Sequence, residues 1–372
     1  MKIQRLLIVI SLVDRSLAFE WFFRELSKTK IVFQVVFLHP HEPALAKFCK
    51  SLSIPVHYIH YQDKKNAPIA FFKIFWLMII NRINIVHAHL FDASLIAIAA
   101  SRLAGIQKRI NTRHHASQHH IYNPHAVKFD RFINQHSTHI IAISEGIKQI
   151  LIEKEGVATN KITVVHHGFD LNYFEQISME RLNTLKEKYL LGAAQPIIGV
   201  IARWTHWKGI QFIIPAFKEL LQHHPSAILL LANATGEYVA EIETLLTQIP
   251  NERYRKISFE ADTPALYHLM NVFVHVPIDD HSEAFGQVYV EALAAGIPCV
   301  FTLSGIANTF ISDYRNALIV PYQNITTITQ AINKILNDER LKNKLVETGK
   351  GDVANLFDIA LMIQKTQRVY EQ

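Results

Sequence analysis

The chain has 372 residues, of which 49% are hydrophobic and 19% charged. That length exceeds one typical globular core and predicts two domains, and the balanced composition predicts a globular protein with little disorder. The formal net charge is +6, divided as +8 over residues 1–180 and −2 over residues 181–372. A basic first half favours an anionic partner, such as a phospholipid surface or a nucleic acid, with a solvated basic surface as the alternative.

The first half alternates short apolar runs with helical stretches. The run Leu6–Val13 is closed by Asp14 and precedes no small-residue cleavage site, so it predicts a buried first strand rather than a secretory signal. Further strands are predicted at 32–38, 83–88, 109–112 and 139–143, and helices at 19–27 and 93–104. This alternation predicts an α/β domain built on a doubly wound parallel sheet.

The longest apolar run is Ala67–Ile80, which Lys73 interrupts. A helix needs about 18 apolar residues to span a bilayer, and this run is shorter. The run therefore predicts a helix of the protein core, in preference to one that dips into a membrane.

The same alternation restarts in the second half. Strands are predicted at 196–202, 227–232, 257–259, 272–276 and 299–302, with helices at 210–223, 238–247, 264–270 and 287–295. We place the domain boundary near residue 190, where 191–194 are small or apolar, which gives domains 1–190 and 191–350 and a C-terminal segment 351–372 with a helix over Leu356–Tyr370. Two such sheets facing one another would leave a cleft at the carboxyl ends of their strands, where ligands of open α/β sheets bind.

The two cysteines are Cys49 and Cys299, each in an apolar setting. Their spacing matches neither a disulfide framework nor a zinc site, so we expect buried thiols in a reducing cytoplasm. The pair Asp279-Asp280 is adjacent rather than spaced and predicts a turn, not a metal motif.

The segment 282–296 reads SEAFGQVYVEALAAG and predicts a loop followed by a helix. Glu283 lies in the loop, and Gly286 begins the helix, where free N–H groups suit an oxygen-rich or anionic ligand. Glu291 lies in a helix that is otherwise apolar, and a buried carboxylate requires partners. Ribose hydroxyls would be such partners; a buried arginine is the alternative.

A second segment, Arg203–Gly209, reads RWTHWKG between a predicted strand and helix. The two cations Arg203 and Lys208 suit a diphosphate, because arginine binds phosphate bidentately and lysine acts as a point charge. A solvated basic loop is the alternative.

Together these two segments resemble the family 4 glycosyltransferases of GT-B fold, which carry two glutamates separated by seven residues and an upstream Arg/Lys pair. Weaker matches follow in the same order at 85–89, 140–145, 164–170, 295–300 and 316–320. The resemblance covers roughly residues 1–350. It implies two facing Rossmann-like domains and a last helix that crosses back to the first domain.

The resemblance implies a role for each matching position. Glu283 would hold the donor sugar, Glu291 the ribose, and Arg203 with Lys208 would neutralise the departing diphosphate. The implied donor-binding set is Arg203, Lys208, Glu283, Ala284, Phe285, Gly286, Gln287 and Glu291. The family retains anomeric configuration and generally needs no metal, so no cofactor is expected beside the nucleotide-sugar substrate.

A run of histidines ends the strand near residue 113. The family often has a histidine in this loop, so His114 or His115 inherits a catalytic role, and His114 aligns slightly better. His119 and His120 follow, and zinc bound by His115 and His119 is an alternative that lacks the usual carboxylate or thiolate. A solvated or core cluster is a further alternative.

Two loops depart from the family pattern. Residues 11–16 lack the Gly-Gly that many members have after the first strand, so either Arg15 serves an anionic acceptor or this loop does not touch the donor. The expected acceptor-side residues are Asp14, Arg15 and His89. Residues 304–308 lack the family's usual acidic residue, which leaves the donor open.

The function implied is a retaining glycosyltransferase of surface-polysaccharide, lipopolysaccharide or lipid-linked glycan assembly, cytoplasmic or peripheral on the inner membrane face. A non-catalytic nucleotide-sugar-binding regulator or partner subunit is the alternative, motivated by the missing Gly-Gly. No nucleic-acid recognition motif is present, so no nucleic-acid partner is expected.

Overall fold

The computed structural model describes residues 4–192 and 195–372, and within them the chain forms two compact units. The first unit extends to Phe169 and includes Phe357–Gln372, and the second is Asp170–Leu356. The residues from Asp170 to 190, which we expected to close the first domain, thus lie with the second unit. Ala193 and Ala194, part of the expected boundary, lie outside the described residues.

The strands are mostly short and apolar. In chain order they are β1 (Arg5–Ser11), β2 (Val32–His39), β3 (Val56–His60), β4 (Ile85–His89), β5 (Lys108–Arg113), β6 (His139–Ala142), β7 (Ile162–Val164), β8 (Ile197–Ile201), β9 (Ile228–Ala232), β10 (Tyr254–Ile257), β11 (Val272–His275), β12 (Cys299–Phe301) and β13 (Leu318–Ile319).

Helices follow most of these strands. In chain order they are α1 (Leu17–Ser27), α2 (Ala44–Ser51), α3 (Ala67–Ile80), α4 (Phe91–Leu103), α5 (Gln118–Tyr122), α6 (Val127–His136), α7 (Glu145–Glu153), α8 (Asn172–Glu175), α9 (Met179–Lys188), α10 (Ile210–Leu220), α11 (Val239–Leu246), α12 (Thr263–His268), α13 (Gln287–Ala294), α14 (Ala307–Phe310), α15 (Ile325–Asn337), α16 (Glu339–Phe357) and α17 (Ile359–Glu371).

Each unit is built on one parallel sheet. Among the described residues, the first unit has seven strands in the order β3-β2-β1-β4-β5-β6-β7, and the second has six in the order β10-β9-β8-β11-β12-β13. In each sheet the second and third strands of the unit lie on one side of its first strand, and the fourth strand lies on the other side. The switch points are therefore between β1 and β4 and between β8 and β11. The expected pair of doubly wound, Rossmann-like α/β domains is confirmed.

Burial explains why the central strands read as continuous apolar runs. Every residue of β4 and β8 is buried, because helices cover both faces of a doubly wound sheet. The strand β10 was misplaced at 257–259. It begins earlier, with Arg255 and Lys256 in an edge strand that has no apolar run, and Phe259 is 75% exposed.

The C-terminal helical stretch is two helices rather than one. The chain leaves α16 after Phe357, and the Asp358 carboxylate caps α17 by accepting a hydrogen bond from the Ala360 N–H at 2.7 Å. The helix α17 packs against α1, and the Tyr370 side chain is fully buried within the first unit. The C-terminal segment is therefore part of the first unit from Phe357 onward.

The helix α3 has the bounds that its apolar run predicts, but the expectation of a core helix is wrong for one of its faces. Ala70, Ile74 and Met78 are buried, whereas the opposite face exposes large apolar side chains. Within residues 4–192 and 195–372, none of the helices combines the length and apolar character that crossing a bilayer requires. Cys49 and Cys299 are buried free thiols, as expected.

Candidate active site

Three neighbouring strands of the second unit end in polar loops. The segment Arg203–Gly209 follows β8, His275 is the last residue of β11, and Ser304 and Gly305 follow β12. Since β8, β11 and β12 are adjacent and parallel, their carboxyl ends lie at one edge of the sheet. This edge includes the switch point between β8 and β11, the usual ligand position in open α/β sheets.

Glu283 is the centre of a hydrogen-bonded cluster at this edge. Its Oε1 accepts hydrogen bonds from Lys208 Nζ at 2.5 Å and from His275 Nε2 at 3.0 Å. Its backbone N–H donates to Ser304 Oγ at 3.0 Å. The Glu283 side chain is 9% exposed and that of His275 is fully buried. The loop that carries Glu283 is thus held from three strand ends.

The charges of this cluster follow from its contacts. Burial alone would raise the pKa of Glu283, but the hydrogen bond from His275 and the charge of Lys208 outweigh burial and lower the pKa to about 2. Burial lowers the pKa of His275 and keeps its imidazole neutral. At neutral pH the cluster is therefore a carboxylate, an ammonium and a neutral ring.

Two glycines let the loops approach this closely. Gly209 has φ +74°, and a Cβ there would lie 1.8 Å from the carbonyl oxygen of Val276. Gly305 has φ +58°, and a Cβ there would lie 2.7 Å from the carbonyl oxygen of Phe285. Both positions exclude a side chain, because the conformation is left-handed and the space is filled by backbone.

Replacing Gly209 by alanine is expected to destabilise the protein by roughly 3 kcal/mol, because backbone strain is joined by a clash with the backbone. The matched control is Gly156→Ala, since Gly156 has φ +69° but open space within 4 Å of the position that an alanine Cβ would take. Strain alone predicts about 1 kcal/mol there. Urea denaturation of both variants checks this; equal losses would contradict the close packing at Gly209.

Glu291 has a separate environment on α13. Its Oε2 accepts a hydrogen bond from the Tyr267 hydroxyl at 2.9 Å. Burial raises the pKa of Glu291 to about 7, and the Tyr267 hydrogen bond only partly opposes this. The carboxylate thus has a tyrosine as its hydrogen-bond partner, rather than the buried arginine of the alternative interpretation. A ligand offering hydroxyl donors would stabilise its ionised form.

The other predicted donor residues lie around the start of α13 or on the surface. Gly286 has φ +87° and precedes α13, whose first residue Gln287 is exposed. Ala284 is partly buried, and the buried Phe285 accepts a hydrogen bond from the Ile306 N–H through its carbonyl at 2.8 Å. Arg203 is exposed and its guanidinium lies 4.0 Å from the Glu237 carboxylate, so the structure does not join it to the Lys208–Glu283 pair.

In the first unit, His114 belongs to a cluster of buried aromatic rings. Its Nε2 is hydrogen-bonded to His89 Nδ1 at 3.1 Å, and its ring stacks on that of His167 with 5.7 Å between centroids. His87 connects this cluster to the C-terminal helix through a 2.7 Å hydrogen bond between its Nδ1 and the Tyr370 hydroxyl.

Burial keeps these imidazoles neutral. It lowers the pKa of His87 to about 3 and that of His167 to about 4, and neighbouring histidines add to the effect. The same causes hold the pKa values of His89 and His114 well below the ordinary value. The cluster can accept or donate single hydrogen bonds but carries no charge at neutral pH.

His115 belongs to a different network, centred on Asp130. The Asp130 Oδ2 accepts a hydrogen bond from His119 Nδ1 at 2.7 Å, and Oδ1 lies 3.3 Å from His115 Nε2 and 2.9 Å from Arg113 Nη1. The same Arg113 lies 2.5 Å from Glu155, which also accepts from His120. Asp130 is thus the carboxylate that the histidine run lacked in sequence.

Two groups among the described residues have three metal-ligand atoms within 4.8 Å of one another, His115/His119/Asp130 and Asp14/His39/His41. In the first group Asp130 is ion-paired with Arg113, which also pairs with Glu155, so the group is part of an ion-paired network without any metal. The expectation that the site uses no metal stays a prediction.

The expected acceptor-side residues lie at the carboxyl edge of the first sheet. His89 ends β4, is buried, and packs edge-on against Phe19 with 5.3 Å between ring centroids. Asp14 accepts a hydrogen bond from the Ala44 N–H at 3.0 Å and so holds the start of α2. Arg15 is exposed and its Nε lies 3.3 Å from Glu20.

His275 and Asp130, each at the centre of one of these clusters, were not predicted from sequence. His275 is the last residue of its strand, as His89 is of β4, and that shared position was the available signal. Asp130 lies on α6, and its separation from the histidine run matches no motif. Only the folded chain brings it to His115 and His119.

Sequence models of two glycosyltransferase families match successive parts of the chain. The model described as Glycosyltransferase Family 4 matches residues 23–173, and the one described as Glycosyl transferases group 1 matches residues 183–352. The chain belongs to the family 4-like glycosyltransferases. The resemblance read from the motifs is confirmed.

Individual relatives include enzymes of glycan assembly. The capsular polysaccharide biosynthesis glycosyltransferase CapM of Staphylococcus aureus is 32% identical over 240 residues, which cover 63% of this chain and 61% of CapM. The UDP-Gal:alpha-D-GlcNAc-diphosphoundecaprenol alpha-1,3-galactosyltransferase of Escherichia coli is 21% identical, covering 77% of this chain and 75% of that enzyme. The chain spans only about three fifths of the length of CapM and of YtcC of Bacillus subtilis, 61% and 60%.

Solved structures share the whole fold. HepE of Anabaena, in complex with UDP-glucose, has a TM-score of 0.83 at 18% identity, covering 99% of this chain and 100% of that chain. A glycosyltransferase of Rickettsia africae has a TM-score of 0.82 at 20% identity, covering 100% and 98%. These matches confirm the GT-B fold.

Proposed function

We propose that this protein is a retaining glycosyltransferase that moves a sugar from a nucleoside-diphosphate sugar to a glycan acceptor. The observation that carries the proposal is the buried Glu283–Lys208–His275 cluster at the switch point of the second sheet. It puts an ionised carboxylate and an ammonium at the edge where such folds bind nucleotides.

The proposed donor contacts follow from charge and hydrogen-bonding capacity. Glu283 accepts hydrogen bonds and suits the sugar hydroxyls, while Lys208 suits the diphosphate as a point charge. Glu291 suits the ribose, because a carboxylate with few partners can accept two hydroxyl hydrogen bonds at once. HepE was solved with UDP-glucose, which makes that donor the first to test.

The proposed chemistry breaks the bond from the anomeric carbon to the diphosphate oxygen and forms a bond to an acceptor hydroxyl. Attack on the face from which the diphosphate departs retains the configuration, and the departing phosphate oxygen takes the acceptor's proton. Lys208, with Arg203 as a second cation, would stabilise the charge that develops on the diphosphate, so that side chains rather than a metal supply this stabilisation.

We assign the catalytic histidine of the family to His114 rather than His115. His115 is engaged by Asp130, whereas His114 is hydrogen-bonded to His89 at the end of β4 and is neutral. Since His89 engages Nε2, the other ring nitrogen of the neutral His114 can make one hydrogen bond to a reacting sugar, and the ring adds no charge to oppose an oxocarbenium-like transition state.

The proposed acceptor is a growing surface polysaccharide or a lipid-linked glycan, used at the cytoplasmic face of a membrane. CapM acts in capsular polysaccharide biosynthesis, and the Escherichia coli relative acts on a diphosphoundecaprenol-linked sugar. The basic charge of residues 1–180 suits the phosphates of such a carrier.

A thermal-shift screen against UDP, GDP, ADP, CMP and TDP and their sugar conjugates tests the donor site. A ligand that binds only the folded state raises the melting temperature by mass action. We expect a shift for one nucleotide that Glu291→Ala removes. No shift with any nucleotide would contradict the proposal, and binding without transfer or hydrolysis would support the non-catalytic regulator instead.

A further inference from the structure

We propose that the outer face of α3 docks this protein onto an anionic lipid surface. Five large apolar side chains of α3 are between 44% and 75% exposed: Ile69, Phe72, Trp76, Ile79 and Ile80. Soluble proteins expose such residues singly, and a contiguous group of them marks an interaction surface. We call these five residues the α3 outer face.

Helical spacing puts the five residues on one side. Positions 69, 72, 76, 79 and 80 follow the three- and four-residue spacing of a single helix face. The buried residues Ala70, Ile74 and Met78 follow the same spacing on the opposite side and join the core of the first unit. The helix therefore has two apolar faces, and only one of them is covered.

Each aromatic ring of the α3 outer face contacts the ring of the preceding residue. Phe72 packs edge-on against the half-buried Phe71 with 5.4 Å between centroids, and Trp76 packs in the same way against Phe75 at 5.5 Å. Phe and Trp are the side chains that favour the boundary between headgroups and acyl chains.

The charges around the α3 outer face point to an anionic partner. Lys64 and Lys65 precede the helix, Lys73 lies within it and Arg82 follows it, and all four are exposed. The helix itself contains no acidic residue. The two carboxylates of residues 51–100 are committed elsewhere: Asp63 caps the turn at Lys65, and Asp92 hydrogen-bonds Tyr61.

A lipid surface fits these features better than a second copy of the chain. A two-fold interface would bring the cations of both copies into one contact surface, which costs free energy, whereas anionic headgroups can pair with all of them. A helix of 14 residues is about 21 Å long and cannot cross a hydrocarbon core of about 30 Å. It can lie in the plane of the interface with its apolar face immersed.

The purpose of such docking rests on the proposed function, because a lipid-linked acceptor lies at a membrane. The evidence for docking is the α3 outer face itself. The test is flotation of the purified full chain with phosphatidylcholine vesicles and with vesicles that also contain phosphatidylglycerol. We expect binding to the anionic vesicles, weakened by salt, and a roughly 10- to 100-fold loss of partitioning in Phe72→Gln/Trp76→Gln. Lys64→Glu/Lys65→Glu is expected to weaken binding by more than about tenfold.

The matched control is Phe259→Gln/Leu190→Gln, which removes two comparably exposed apolar side chains from the second unit. It is expected to bind vesicles as the wild type does. Wild-type protein that stays off anionic vesicles, or equal partitioning of the α3 double variant, would overturn the inference. So would a concentration-dependent dimer in sedimentation that the α3 double variant abolishes.

The nucleotide thermal shift of the α3 double variant separates this inference from the proposed function. An unchanged shift with lost vesicle binding supports both proposals, whereas vesicle binding without any nucleotide shift supports only the docking surface.

Discussion

Replacing Lys208 by alanine is expected to lower kcat about a hundred- to a thousandfold and to destabilise the fold by roughly 3 kcal/mol at pH 7. In the proposed mechanism the activity falls because Lys208 is the cation that would stabilise the departing diphosphate. The stability falls because the Glu283 carboxylate, which is 9% exposed, loses the partner 2.5 Å from its Oε1. Transfer assays and urea denaturation measure the two effects.

The stability loss has a predictable pH dependence. The contacts of Glu283 lower its pKa from 4.5 to about 2, so they stabilise the folded state above pH 4.5 and this contribution is lost as the pH falls through about 2. The difference in unfolding free energy between wild type and Lys208→Ala is therefore expected to shrink over that interval. A difference that does not change with pH would contradict the ion pair.

A double variant separates stability from catalysis. Lys208→Met/Glu283→Gln removes both charges together and is expected to recover most of the stability, since neither charge is left buried and unpaired. It is expected to remain inactive, because both donor contacts are gone. Full transfer by Lys208→Ala would contradict the role of Lys208.

Nucleotide binding is expected to tighten as the pH rises from 6 to 8, because Glu291 must be ionised to accept hydrogen bonds from the ribose. Burial raises the pKa of the free protein's Glu291 to about 7, so binding at pH 6 requires loss of a proton. Glu291→Gln is expected to bind at least about tenfold more weakly at pH 8, since an amide accepts these bonds less strongly. Calorimetric titration over this pH range measures both effects.

The carboxyl group of Glu291 changes the free energy of unfolding with pH in the opposite direction to that of Glu283. A raised pKa favours the folded state fully below pH 4.5, and this contribution disappears as the pH rises through about 7. A rise of this size corresponds to about 3 kcal/mol at full burial, and partial exposure of Glu291 reduces the expected figure to about 2 kcal/mol. Glu291→Gln should therefore be the more stable protein at pH 8.

The phosphates of the nucleotide also titrate and could change its affinity with pH. Glu291→Gln is the control, because it keeps the ligand's titration and removes that of Glu291. A pH dependence of binding that is the same in wild type and Glu291→Gln would belong to the ligand and would contradict the ribose assignment. A variant less stable than wild type at pH 8 would contradict the raised pKa.

Sequence pattern predicted the helix α3 to the residue but not what surrounds it. Hydrophobicity indicates that transfer of a side chain out of water is favourable. It does not indicate whether the side chain packs inside the protein or enters another apolar phase. Ile74 and Trp76 are both apolar residues of one run, yet the first is buried in the core and the second is 57% exposed. That difference depends on which face α4 and the sheet cover.

Site residues could be predicted from sequence where a short motif contains both the residue and the neighbours that indicate its role. Glu283 and Glu291 lie in one loop and helix, and Lys208 lies in a strand-end loop of the same domain. His275 and Asp130 were missed because no sequence pattern links His275 to Glu283 or Asp130 to His119, and only the fold brings each pair into contact. Local capping explains the break at Asp358, since a side chain that accepts the Ala360 N–H competes with helix continuation.

Transfer with retention, the central claim, is tested most directly by following the anomeric proton of a nucleotide sugar by NMR in the presence of the protein and a soluble acceptor. We predict that the donor signal decays, the nucleoside diphosphate is released, and the new glycoside has the donor's anomeric configuration. A product of inverted configuration would contradict the retaining mechanism. Persistence of every donor sugar, with acceptors that include a lipid-linked glycan, would contradict the assignment as an active transferase.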